Sequence, residues 1–246
     1  MNLISANLNV MIKACEKASK ALIRDFGEIE KLQVSIKGPN DFVSNADLKA
    51  EKIIIEELNK ARPNYSIISE EAGSKLNQDK KNTWIIDPID GTTNFLHGIP
   101  HFAISIALKN ENEIVSGVIY DPIKDEMFYA EKENGAFLNN QRIRVSKKKS
   151  LEACLFASGG KLNHQIDLLT RKSGCAALDM AYVASGRYDG YFQNNINLWD
   201  IAAGIIILKE AGGMINKIDL SENDNVQIKA SSSSINEKML EKLGNF

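Results

Sequence analysis

The sequence predicts an α+β half built on an antiparallel sheet, followed by a smaller α/β half. Three observations predict it. Two amphipathic helical stretches open the chain, at about 2–26 and about 44–61. Short apolar runs separated by turn residues fill the middle, from Tyr65 to Ala130. Beyond about Ser150 helical and strand-like runs alternate. The first half is set at 1–148 and the second at 149–246.

The elements follow in order. Leu8, Met11, Ile12, Cys15, Leu22 and Phe26 fall on one helical face, and Gly27 is a natural stop. Ser44 and Asp47 have the spacing of a capping box, Ile53, Ile54, Leu58 and Ala61 continue that helix, and Pro63 ends it. Strands are expected at Tyr65–Ile68, Trp84–Ile86, Phe102–Leu108, Ile114–Tyr120 and Glu126–Ala130. Asp121-Pro122, Asn134-Gly135 and Asn139-Asn140 mark turns, so this region reads as an antiparallel meander. Then come a strand near Cys154, a helix at Ala177–Ser185, a strand at Gly190–Gln193, a helix at Asp200–Ala211 and a last helix from Asn236.

Composition narrows the function. A net charge of −2 over 246 residues lacks the basic excess of a nucleic-acid binder, and Lys147-Lys148-Lys149 reads as a solvated loop. Three widely spaced cysteines without a CxxC pair point to reduced thiols and a cytoplasmic setting. His97 and His101 are four apart, but Gly98 and Pro100 between them oppose a helix, and no zinc pattern occurs. No apolar run reaches the ~20 residues that span a bilayer.

The chemistry concentrates in Trp84-Ile-Ile-Asp-Pro-Ile-Asp-Gly-Thr-Thr-Asn-Phe95. An apolar strand runs into Asp87 and Asp90. Two carboxylates this close repel unless a counter-charge joins them, and a divalent cation supplies one. Pro88 fixes one φ angle and Gly91 allows a tight turn. A short helix starting at Thr92 would leave backbone N–H groups free for a phosphate. Magnesium takes oxygen ligands in octahedral geometry, so further acids should converge. Asp47, Glu70, Glu71 and Asp200 are the candidates. Each alone also reads as a helix cap or a solvated acid; the set carries the argument.

Taken in order, Asp41-Phe-Val-Ser-Asn-Ala-Asp47, Ser69-Glu-Glu71, Trp84–Phe95 and Trp199-Asp-Ile-Ala-Ala-Gly204 resemble the inositol monophosphatase family, closest to its bacterial extragenic-suppressor branch. The match runs from about Lys37 to Gly213. The resemblance implies a layered αβαβα sandwich, two or three Mg²⁺ ions, lithium sensitivity and a homodimer. It implies that Glu70, Asp87 and the Ile89 carbonyl hold one ion, and that Asp87, Asp90 and Asp200 hold a second. Asp47, with Glu70, serves a weaker third through waters. Gly91 and Thr92 would contact phosphate through N–H groups, near Lys37. Glu70 and the Thr92 hydroxyl would position the attacking water, and Asp90 the water that protonates the leaving alcohol. Gly174, Ala176 and Gln193 would lie on the substrate side.

The implied reaction is hydrolysis of a small phosphate monoester such as inositol monophosphate. Fructose 1,6-bisphosphate, histidinol phosphate and 3′-phosphoadenosine 5′-phosphate are alternative substrates. A regulatory role on RNA polymerase or ribosome assembly is an alternative from another class. Two features depart from the family pattern. Gln193 stands where a glutamate is usual, and the stretch between Ala157 and Gly174 is short.

Overall fold

The structure, a computed structural model, describes residues 4–28, 34–38, 41–160, 167–221 and 224–244, with the backbone alone at 34–38 and 41–44. Helices α1 (Ala6–Phe26) and α2 (Asn45–Ala61) form the first layer. Ser5 caps α1, its hydroxyl accepting from Leu8 N at 3.2 Å. A ribbon of β1 (Val34–Gly38) and β2 (Asp41–Ser44) links the two helices.

The second layer is an eight-stranded sheet. It comprises β3 (Tyr65–Ser69), β4 (Gly73–Lys75), β5 (Asp79–Asp90), β6 (Ala103–Asn110), β7 (Glu113–Asp121), β8 (Glu126–Glu131), β9 (Gly135–Leu138) and β10 (Gln141–Arg142). Its order is β10-β9-β8-β7-β6-β5-β3-β4, and the short helix α3 (Thr92–Leu96) joins β5 to β6. Helices α4 (Ala176–Ala184) and α5 (Leu198–Glu210) make the third layer. The fourth is a five-stranded sheet of β11 (Phe156–Ser158), β12 (Thr170–Arg171), β13 (Gly190–Ile196), β14 (Gly213–Ile215) and β15 (Val226–Ser232), ordered β12-β11-β13-β15-β14. Helix α6 (Asn236–Leu243) covers its outer face.

Residue chemistry sorts the layers. In α5 the run Ile201–Leu208 is buried throughout, as suits a helix between two sheets. Lys13, Glu16, Lys17, Lys20 and Arg24 line the exposed side of α1, a surface helix. Along β13, Tyr191 packs toward α4 and α5 while its neighbour Phe192 packs toward α6. The result is the αβαβα sandwich that the resemblance implies.

One expectation is corrected: the large sheet is mixed. β3 runs parallel to β5, because the β4 hairpin turns the chain back along the sheet edge before β5 begins. β4 has three exposed residues and no apolar alternation, so the pattern missed it. In the small sheet β12, β11 and β13 are parallel, and β15 and β14 are antiparallel. Parallel neighbours usually need a crossover of about a dozen residues or more. Here 159–169 joins β11 to β12, and 161–166 lie outside the described residues.

Candidate active site

The β5 strand ends in a bulge. Asp87 pairs with Ser105 and Asp90 with Ala103, so one extra residue is inserted on β5. Pro88 sits in that interruption, where its missing N–H costs no ladder bond. Asp87 Oδ1 accepts from Ile89 N at 3.0 Å, closing a local turn. Gly91 follows at φ +96°, and a Cβ there would stand 3.1 Å from the His101 carbonyl oxygen. Both the angle and the contact demand glycine. The Thr92 hydroxyl donates to the Ile89 carbonyl at 2.9 Å. Helix α3 begins at Thr92, as expected, so its first N–H groups lack helical acceptors.

The parallel β3–β5 pair decides where Glu70 stands. Ser69 pairs with Ile86, and Glu70 N donates to the Ile86 carbonyl at 3.3 Å. Glu70 therefore leaves the sheet at the same edge as Asp87; an antiparallel pair would put it at the far end. Asp47 is buried in the first turn of α2. Asp200 is in the first turn of α5 and accepts from Asn197 N at 3.3 Å. Its cap-like reading thus holds alongside its place beside the acids. Ser105 Oγ, opposite Asp87, donates to the Trp199 carbonyl at 3.3 Å and ties α5 to the bulge.

The acids press on one another. Burial pushes the Asp87 carboxyl well up, and the charges of Glu70, Asp90, Asp200 and Asp47 push it further. Burial also raises Asp200, with Asp90 and Glu70 adding to it; its contacts with Asn197 N–H and the Asp87 carboxyl act the other way. Asp90 is pushed up to about 6 by burial, against the stabilising N–H groups of Ala177 and Gly91 and the Cys175 thiol. Asp90 Oδ2 accepts from Ala177 N, and from Cys175 Sγ at 3.1 Å. This all-oxygen set of mutually repelling buried acids fits a hard divalent cation. Among the described residues no three His, Cys, Asp or Glu side chains stand together as a closed ligand set.

The family model described as "Inositol monophosphatase family" matches residues 5–245. The chain belongs to the inositol monophosphatase family. It is 50% identical to an inositol-1-monophosphatase of Rhizobium meliloti over 85% of this chain and 84% of that protein. It is 40% identical to a Nus factor SuhB of Pasteurella multocida over 85% and 84% of the two chains. The solved extragenic suppressor protein suhB of Bartonella henselae superposes with a TM-score of 0.91 at 46% identity, covering 98% of this chain and 99% of the other.

Inositol monophosphatase family membership was legible in the acid motifs, but the supports around them were not. Glu51, one helical turn after Asp47, accepts from Ser69 Oγ, from Glu71 N at 3.1 Å and from Ala72 N at 3.0 Å. It holds the loop that carries Glu70. The i, i+4 spacing from Asp47 was the available signal. Asn94 Nδ2 donates to the carbonyls of His101 at 2.8 Å and Ser173 at 2.9 Å, joining the α3 turn to the approach to α4. Cys175, read only as a reduced thiol, contacts Asp90.

The expected substrate-side residues lie around this cluster. Gly174 takes φ +82° against the Asn94 side chain. Ala176 opens α4 and is buried, and the N–H of its neighbour Ala177 is taken by Asp90. Burial raises the Tyr191 phenol, and the charges of Asp179, Asp90 and Asp200 add to it. Gln193 follows on the same face of β13 and accepts from Tyr191 OH at 2.6 Å. Lys37 falls on β1, and its side chain lies outside the described residues.

Proposed function

We propose that this chain is a Mg²⁺-dependent phosphomonoesterase that hydrolyses small phosphate monoesters of the inositol monophosphate type. The observation that supports the reading is the bulged Asp87–Asp90 turn, with Glu70 brought to the same sheet edge by the parallel β3–β5 pair and the Asp200 helix tied to the bulge through Ser105. Glu70, Asp87 and the Ile89 carbonyl would hold one ion, and Asp87, Asp90 and Asp200 the other, with Asp47 and Glu70 serving a third through water. Bound there, such ions acidify a water and neutralise charge on the departing oxygen. Glu70 takes the proton of the attacking water, helped in positioning by Thr92. Asp90, held by Ala177 N–H and the Cys175 thiol, orients the water that protonates the leaving alcohol. The first-turn N–H groups at Gly91 and Thr92, with Lys37, receive the phosphate. Gly174, Ala176 and Gln193 face the rest of the substrate.

A cytoplasmic, lithium-sensitive homodimer belongs to the same proposal. Its three cysteines are all free and buried, which suits a reducing compartment. No helix among the described residues is long and apolar enough to cross a membrane. A second role in a transcription complex is favoured by the name of the Pasteurella multocida relative, Nus factor SuhB. Phosphate release from a panel of inositol, sugar and nucleotide phosphates, with Mg²⁺ and with EDTA, tests the reading. Release that requires Mg²⁺ supports it. No release from any panel member, together with capture of RNA polymerase, would replace it with the regulatory role.

A further inference from the structure

The first turn of α4 is held from two sides. Its N-cap residue, Cys175, supplies no side-chain cap. The first N–H groups of a helix need acceptors from outside it. Ala177 N finds Asp90 Oδ2, at the bulged end of β5. Cys175 N finds Ser173 Oγ at 3.2 Å. The same Ser173 hydroxyl donates to the Cys175 carbonyl at 3.3 Å, and that carbonyl also accepts from Asp179 N at 3.0 Å. One hydroxyl thus grips both backbone polar groups of Cys175. Gly174 between the two residues takes φ +82°, a left-handed angle that suits glycine. The Ser173 carbonyl is tied separately, to Asn94 Nδ2 at 2.9 Å.

Cys175 is also where Asp90 is held. Its Sγ donates to Asp90 Oδ2 at 3.1 Å, the same oxygen that Ala177 N reaches. Two donors on one oxygen set the rotation of the carboxylate, and so the direction in which Oδ1 faces. Cys175 is buried, and a buried N–H without an acceptor is costly. Loss of the Ser173 hydroxyl therefore shifts the backbone at 175–177, and the Cys175 thiol and the Ala177 N–H shift with it.

We propose that Ser173 is a positioning residue for Asp90: its hydroxyl fixes the 175–177 backbone that turns this carboxylate toward the cation it shares with Asp87 and Asp200. The inference rests on the ion assignment of the phosphatase reading. The test is Mn²⁺ titration of the metal-free full chain without substrate, with free Mn²⁺ read by electron paramagnetic resonance. Asp90→Asn identifies the Mn²⁺ site that uses Asp90, because it weakens that site.

Ser173→Ala should weaken the same site about five- to tenfold, the effect of one buried hydrogen bond, and leave the other within about twofold. Ser173→Thr keeps the hydroxyl and should bind Mn²⁺ as the parent chain does. In phosphate release, the half-saturating Mg²⁺ concentration of Ser173→Ala should rise by the same factor, with kcat restored at saturating Mg²⁺. Equal weakening of every Mn²⁺ site, or unchanged affinities with only a lower melting temperature, makes Ser173 a structural residue and overturns the proposal. Equal losses in Ser173→Ala and Ser173→Thr overturn it too, since the hydroxyl is then not the agent. Unchanged Mn²⁺ binding in Asp90→Asn overturns the ion assignment and this inference with it. The expected Mn²⁺ pattern with no phosphate release from any monoester overturns the phosphatase reading and leaves the positioning role in place.

Discussion

The Asp87–Asp90 turn and the Tyr191–Gln193 end of β13 are built in opposite ways. The turn is one continuous stretch whose shape is set locally by Pro88, Gly91, the Asp87–Ile89 bond and the Thr92–Ile89 bond. The β13 end packs against Gly159 from another segment, a meeting made only when the small sheet is assembled. The turn's own shape is thus encoded in a contiguous motif, and Asp47, Glu70 and Asp200 are brought to it by α2, β3 and α5. The β13 end is set by packing between segments distant in sequence.

If the turn is the chemical centre, its acids should dominate every other side chain in turnover. Asp90→Asn should cut kcat by about 10²–10⁴-fold at any Mg²⁺ concentration. The variant should stay folded, because its amide oxygen still accepts from Ala177 N, and circular dichroism checks that point. Turnover close to that of the parent chain would remove the turn from the chemistry.

Glu51 sharpens the distinction between a reacting group and its support. It touches no reacting atom but anchors the Glu70 loop through three donors. Glu51→Ala should raise the half-saturating Mg²⁺ concentration about 10–100-fold, as loss of an outer support does. Much of kcat should return at saturating Mg²⁺, unlike Asp90→Asn. A kcat that stays low at high Mg²⁺ would make Glu51 part of the chemistry.

The acid cluster should also show itself without substrate. Asp90 titrates near 6 in the fold, and Asp87 and Asp200 are raised as well. Free aspartate titrates near 4, so the unfolded chain gives up these protons first. In EDTA, stability should therefore fall as pH rises from about 4 to beyond 6. Mg²⁺ should oppose that fall, adding about 2–3 kcal/mol at a hundredfold excess over its Kd. Thermal melts at about pH 5 and about pH 8, with Mg²⁺ and with EDTA, measure it. A Mg²⁺ shift no larger at the higher pH would mean that the acids do not share one ion site.

Much of this was legible in the sequence, and the gaps have physical causes. The long helices announced themselves by period and caps, and the chain's order of acids carried the family. The β3–β5 direction was not legible, because a three-residue polar hairpin decides it. That direction is what brings Glu70 to Asp87. Cys175 and the Tyr191–Gln193 bond were silent, and Glu51 showed only its spacing from Asp47, because each depends on a partner distant in sequence or on strand facing. Local rules see turns and faces; they do not see which carbonyl a buried amide finds.

The smallest expected effect lies at the joint between the two regions. Asn94 is buried and spans from the α3 turn to Ser173, just before Gly174 and α4. Asn94→Ala would leave two carbonyls without their donor, a loss of about 1–2 kcal/mol in stability. The acids themselves keep their partners, so half-saturation by Mg²⁺ should not move. What should move is KM for the phosphorylated substrate, because the phosphate turn and the substrate side are no longer held in register. The shift should be severalfold, with kcat changed less. A change in Mg²⁺ affinity with KM untouched would show that Asn94 serves the acids alone, and that the two regions are coupled through α5 and its Ser105 tie rather than through this amide.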